Sequence, residues 1–139
     1  MSKLLTWIAA CVAMLGVSGA ALADAPMEIS GAKTVDAKQI VDLITKAPNL
    51  IILDNRKPED FSAGHIEGAK RLIDTDVTPE SLAKNVPTKE TPVLFYCNGV
   101  KCGRAAKAVE TALKAGYKNV YYYALGMDEW NKLGLPVAK

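Results

Sequence analysis

Two short runs constrain this chain more than anything else in it. Leu50-Ile51-Ile52-Leu53 and Pro92-Val93-Leu94-Phe95-Tyr96 are continuously apolar, with no polar residue at alternate positions. A strand with one wet face alternates. An unbroken run is expected of a strand covered on both faces, as in a parallel sheet flanked by helices. The segments around the runs carry helix signals. Asp36 followed by Gln39 is a capping-box pattern, and Ile40, Val41, Leu43 and Ile44 then form a stripe that Pro48-Asn49 ends near Lys46. Pro58 to Phe61 opens a short helix that Gly64 ends. Thr78 caps a helix starting at Pro79, and Ala105 to Ala115 is a helix closed by Gly116. Met127 to Leu133 is a last short helix, while Ala32–Val35, Ala69–Ile73 and Asn119–Tyr123 complete the strand candidates. Strands and helices alternate, so the expected class is α/β with a mostly parallel sheet. There is no internal repeat and no low-complexity tract.

The first 23 residues are a different material. Lys3 precedes an apolar run from Leu4 to Leu15 broken only by Thr6, and Ala21-Leu22-Ala23 is an A-x-A cleavage pattern before Asp24. This is the pattern of a secretory signal peptide, and the run is short for a membrane span. The expected division is therefore a signal peptide at 1–23 and one domain at 24–139, with 24–29 as a loose tail. Cleavage would remove Cys11 and leave two cysteines in a periplasmic or secreted protein with no membrane attachment, where thiols tend to be oxidised. A net charge of +2, with scattered lysines, excludes the clustered basic face of a nucleic-acid binder. Oligomeric state is not readable.

The chemistry concentrates in Phe95-Tyr96-Cys97-Asn98-Gly99-Val100-Lys101-Cys102-Gly103-Arg104. In open parallel sheets, sites form beyond the carboxyl ends of strands, and Cys97 stands at such an end. The loop after it leads into a helix N-terminus, whose free N–H groups favour anions and depress a thiol pKa. Gly99 and Gly103 are expected to curl the backbone so that several N–H groups converge. Lys101 and Arg104 add positive charge, and Arg104 can hold a planar oxyanion bidentately. Asn98 and Val100 complete the loop. The pattern suits a nucleophilic Cys97 acting on an anionic substrate. Cys102 is a bystander, a disulfide partner or a thiol that resolves a Cys97 adduct. Two cysteines and one histidine make a poor zinc set, so neither metal nor cofactor is expected.

On these residues the chain resembles the single-domain rhodaneses, from about Val35 to Val137. Four stretches carry the likeness: Leu53-Asp54-Asn55-Arg56 with Glu59-Asp60-Phe61; Gly64-His65-Ile66-Glu67-Gly68-Ala69; Phe95-Tyr96-Cys97 with Gly103-Arg104-Ala105-Ala106-Lys107-Ala108; and Leu125-Gly126 with Trp130 and Gly134-Leu135-Pro136-Val137. The resemblance implies a rhodanese-like, five-stranded sheet flanked by helices. It also implies that Cys97 takes sulfane sulfur from a small anionic donor, thiosulfate or polysulfide, as a persulfide. The sulfur then passes to a thiol or cyanide-like acceptor. Arg104 falls seven positions after Cys97, which makes this loop longer than the usual rhodanese loop.

The neighbouring candidates read as support. Asp54 and Arg56 are expected to pair with each other or with backbone near the loop and hold its shape. His65 reads as a turn residue, and the resemblance sets it away from Cys97. Tyr121–Tyr123 and Trp130 read as core and rim. Two other functions compete with sulfur transfer: a thiol–disulfide redox module using Cys97 and Cys102, and a catalytically silent rhodanese-like binding module. A phosphatase fits least, because the loop has no acid–base partner nearby.

Overall fold

The computed structural model describes residues 24–139. The signal-peptide reading of residues 1–23 lies outside them. Five strands form one all-parallel sheet in the order β1-β5-β4-β2-β3. They are β1 Lys33–Thr34, β2 Ile51–Asp54, β3 Lys70–Arg71, β4 Val93–Tyr96 and β5 Val120–Tyr123. The helices are α1 Ala37–Lys46, α2 Pro58–Ala63, α3 Pro79–Asn85, α4 Arg104–Lys114 and α5 Gly126–Lys132. The two continuous apolar runs are the central pair. Ile51 aligns with Val93, and Leu53 with Phe95, which in turn aligns with Tyr122.

Strand periodicity divides the core in two. Leu53, Val93, Phe95 and Tyr122 face α3 and α4, where they meet Leu82, Val86, Ala108 and Ala112. Ile52, Leu94, Tyr96 and Tyr123 face the other way, against Ile40, Ile66, Met127 and Trp130. Phe95, Leu94 and Leu53 are fully buried, and each such side chain contributes about 1.5–3 kcal/mol. Trp130 lies in this core, with its indole N–H donating to Pro136 O at 2.9 Å.

The helix starts follow from local chemistry. Asp36 and Gln39 form the reciprocal cap at α1, and Thr78 with Ser81 does the same at α3, before a proline in the first turn. Two expectations need correction. The segment 24–29 is not a loose tail. Ala25 N donates to Val100 O at 2.6 Å, Tyr122 Oη to Pro26 O at 2.7 Å and Thr34 Oγ1 to Met27 O at 3.2 Å, while Ile29 packs on the core. The sequence does not show this, because three of these contacts use backbone amide or carbonyl groups, which are not specified by side-chain type. The edge strand expected at Ala69–Ile73 is only Lys70–Arg71, and the chain then turns through one 3₁₀ turn at Asp74–Asp76. Among the described residues, no helix is long and apolar enough to cross a membrane.

Candidate functional site

Cys97 is the first residue past β4, and the loop that follows closes at the N-terminus of α4. Cys97 and Cys102 are joined by a disulfide, with their Cα atoms 6.2 Å apart, inside the usual span for such a bond. Of the three fates open to Cys102, partnership with Cys97 is the one seen. The two sulfurs differ in surroundings. Cys97 is 2% exposed and belongs to the α3/α4-side core with Val77, Phe95 and Ala105, whereas Cys102 is half-buried at the rim of that core.

The backbone around the loop is anchored from α5. Met127 N donates to Cys97 O at 3.1 Å and Asp128 N to Asn98 O at 2.7 Å. Gly126 makes this approach possible. Its φ is +56°, and a Cβ there would overlap Cys97 O. The expected role of Gly99 and Gly103 needs correcting, since neither has positive φ. Gly99 instead lies close to other groups: a Cβ there would displace the exposed Asp128 carboxylate and crowd Leu125 O. Gly103 stands in open space at φ −82°, so neither conformation nor room demands glycine.

The expected convergence of amides on the sulfur also differs. Among the described residues, no backbone N–H donates to either sulfur, and the only polar group in reach is Arg104 Nη1, 3.4 Å from Cys102 Sγ. The physical reason is the disulfide. It draws Cys97 Sγ toward Cys102, and a neutral bridge sulfur is a poor acceptor. The donors themselves are uncommitted. Asn98, Gly99, Val100 and Lys101 donate no backbone hydrogen bond among the described residues, and no side chain caps α4.

Two arginines flank the loop. Arg56 lies beneath it, 4% exposed. Its Nε reaches both Asp54 carboxylate oxygens at 3.0 and 3.1 Å, and its Nη2 donates to Asp54 Oδ2 at 2.8 Å and to Gly64 O at 2.8 Å. Its Nη1 reaches Asn98 Oδ1 at 3.4 Å, and Asn98 Nδ2 donates to Asp60 Oδ2 at 3.3 Å. The Asn98 side chain therefore turns down into this brace rather than toward the mouth. Burial works against the Arg56 charge, but the hydrogen bonds and charge of Asp54 outweigh it, so the guanidinium pKa lies above its ordinary value. Tyr96 covers the pair, its ring centre 5.7 Å from the guanidinium, and its hydroxyl accepts from Ile66 N at 3.2 Å. Burial first, and then the Asp54 charge, raise the Tyr96 hydroxyl well above the ordinary phenol value.

Arg104 stands at the rim. Its Nε is 3.8 Å from Asp74 Oδ1, a loose pair with the arginine side chain 30% exposed. Lys101 is exposed, and Val100 lines a shallow groove with Leu125, Asp128 and Lys132. His65 lies in the turn after α2. Its ring stacks on Phe61 at 3.7 Å, Nδ1 is 2.9 Å from Phe61 O, and its backbone pairs with Ala138. Asp60, Asp74 and Asp128 all shape this loop and were not singled out from the sequence. Asp60 stands inside a motif already noted, so that signal was present. Nothing local marks the other two.

Chemically, the loop offers a disulfide-bonded sulfur pair, uncommitted amides and two cationic side chains above a buried brace. The model of the family described as "Rhodanese-like domain" matches residues 36–133. The protein YibN of Escherichia coli K12, described as uncharacterized, is 26% identical over 136 residues, covering 97% of this chain and 88% of the relative. The thiosulfate sulfurtransferase GlpE of Pseudoalteromonas translucida is 25% identical over 99 residues, covering 70% of this chain and 88% of the relative. Among solved structures, the polysulfide-sulfur transferase homodimer of Wolinella succinogenes superposes with a TM-score of 0.64 at 27% identity, covering 78% of this chain and 79% of that one.

Proposed function

Since this chain belongs to the rhodanese-like domain family, we propose that it is a sulfurtransferase that carries sulfane sulfur on Cys97, taken from a small anionic donor of the thiosulfate or polysulfide class. The observation that carries this reading is the position of Cys97. It follows directly on the central strand β4 and begins a loop of uncommitted amides that enters a helix with no side-chain cap. The sulfurtransferase activities named for the two relatives support it.

The working form is the dithiol. In the disulfide the electron pair of the Cys97 thiolate is held in the bond to Cys102, so the bridge must open before sulfur can be loaded. The freed Cys97 thiolate attacks the outer sulfur of thiosulfate, the S–S bond of the donor breaks, and sulfite leaves with the electron pair. The persulfide anion gathers the loop amides, and Lys101 and Arg104 draw the dianionic donor. An acceptor thiolate or cyanide then attacks the outer sulfur, and Cys97 leaves as thiolate. The N-terminal pattern supports a periplasmic or secreted setting, in which an oxidised resting state persists.

The test is thiocyanate formation from thiosulfate and cyanide, run with the reduced protein. Turnover is expected from the dithiol and not from the disulfide. A Cys97→Ser variant that makes as much thiocyanate as the parent overturns the assignment.

The disulfide favours a second reading, a thiol–disulfide redox module in which Cys97 and Cys102 cycle and sulfur transfer is incidental. Equilibrating the pair against glutathione discriminates. A pair that exchanges with glutathione in both directions, in a protein that never loads sulfur from thiosulfate, favours the redox module.

A further inference from the structure

The oxidised loop is not chemically idle, and its two sulfurs are not equivalent. Resting on the reading of Cys97 as the sulfur-handling thiol, we propose that the Cys97–Cys102 disulfide is itself a receptor for reduced sulfur: hydrosulfide opens it at Cys102 Sγ, leaving a persulfide on Cys102 and a free thiolate on Cys97.

Access decides the direction. Thiol–disulfide exchange requires the nucleophile to reach one sulfur, with the other leaving. In the disulfide Cys97 is 2% exposed, in one core cluster with Val77, Phe95 and Ala105, so while the bridge is closed an anion from solvent meets Cys102 first. Cys102 is half-buried at the edge of the same cluster and is the more exposed of the two cysteines. The charge at that rim points the same way. Arg104 Nη1 is 3.4 Å from Cys102 Sγ, and its partner Asp74 is 3.8 Å from Nε, a loose pair that leaves cationic character beside the sulfur. Exposed Lys101 precedes Cys102. Small anions are drawn to such a rim. The leaving side is also provided for. A thiolate released at Cys97 lies in the loop whose amides, from Asn98 to Lys101, donate to no protein acceptor among the described residues.

The step balances without another oxidant. The hydrosulfide sulfur forms a bond to Cys102 Sγ, the Cys97–Cys102 bond breaks, and its electron pair stays on Cys97. The bridge is reduced by two electrons, and the incoming sulfide is oxidised to the persulfide level. The sulfide proton remains on the outer sulfur or passes to water. Sulfane sulfur from thiosulfate would enter at Cys97 of the dithiol, whereas sulfide would enter at Cys102 of the disulfide. One loop thus takes sulfur at two oxidation levels, depending on its own redox state.

The sequence supplies its own assay. Lys101 separates the two cysteines, so tryptic cleavage puts Cys97 and Cys102 on different peptides. The oxidised protein is mixed briefly with isotopically labelled sodium sulfide, quenched with an alkylating agent and digested. The expected result is one labelled sulfur on the Cys102 peptide, an alkylated unlabelled Cys97, and no label when the protein is reduced beforehand. Label found first on the Cys97 peptide overturns the proposal, as does a disulfide that survives sulfide unlabelled. Thiosulfate loading of the reduced protein is scored in parallel. If that loading succeeds while sulfide capture fails, only this inference falls. If sulfide is captured but thiosulfate never loads Cys97, the sulfurtransferase reading falls instead.

Discussion

Arg56 and Arg104 stand on opposite sides of one loop and do different work. Arg56 is enclosed, bound to Asp54 through three contacts of 3.1 Å or less, and joined to Gly64 and Asn98. Arg104 is partly wet and shares one 3.8 Å pair with Asp74. Stripping water from a charge makes its partner obligatory, because a lone buried charge is far costlier than a solvated one. A rim pair pays little and gains little, so it can be exchanged for a ligand. The brace below is therefore structure, and the rim above is free to take part in chemistry.

The largest break in this contrast should come from Asp54→Ala. It strands the Arg56 guanidinium in the core and is expected to cost about 3–5 kcal/mol, read from urea unfolding. A cost below about 1 kcal/mol would mean that the brace is not one. Gly126→Ala comes next. It forces a side chain into left-handed backbone and against Cys97 O, and should cost about 2 kcal/mol or more while displacing the loop. Reducing the disulfide removes a short loop closure, expected to be worth about 2 kcal/mol, and unfolding curves with and without reductant measure it. Asp74→Ala should cost less than about 1 kcal/mol, yet alter the thiosulfate concentration needed for half-maximal thiocyanate formation. An Asp74 variant as damaged in stability as the Asp54 variant would erase the distinction between the two sides.

The smallest effect at ordinary pH sharpens the buried side. Tyr96 holds its proton in the fold above the ordinary value of 10.0, whereas an unfolded tyrosine releases it there. Its contribution is fully present below about pH 10 and is lost as pH rises further, through the folded value. Tyr96→Phe should flatten the fall in stability on the alkaline side, and an unchanged slope would deny that the ring is sealed in.

Much of the frame was legible in the chain. The unbroken apolar runs at 50–53 and 92–96 announced buried parallel strands, and the caps at Asp36 and Thr78 announced the helices behind them. The end of the second run placed Cys97 at a strand mouth. Asp54 and Arg56 were readable as a pair because two residues on a strand exit can meet without help from elsewhere. What was not legible came from afar. Asp74 reaches Arg104 across thirty positions, and Asp128 presses on Gly99 from a different helix. The strap from Ala25 to Val100 uses backbone groups, which every sequence supplies equally.

Sequence alone determined most of the secondary elements, the mostly parallel class of the sheet and the thiol at the mouth, since periodicity, caps and strand ends are local properties of a chain. Only the tertiary structure decided which cysteine is buried and which is partly exposed, that the two are bonded, and which arginine is locked. Those depend on distances between segments that meet only when the sheet closes, and on how much water each charge loses when it does.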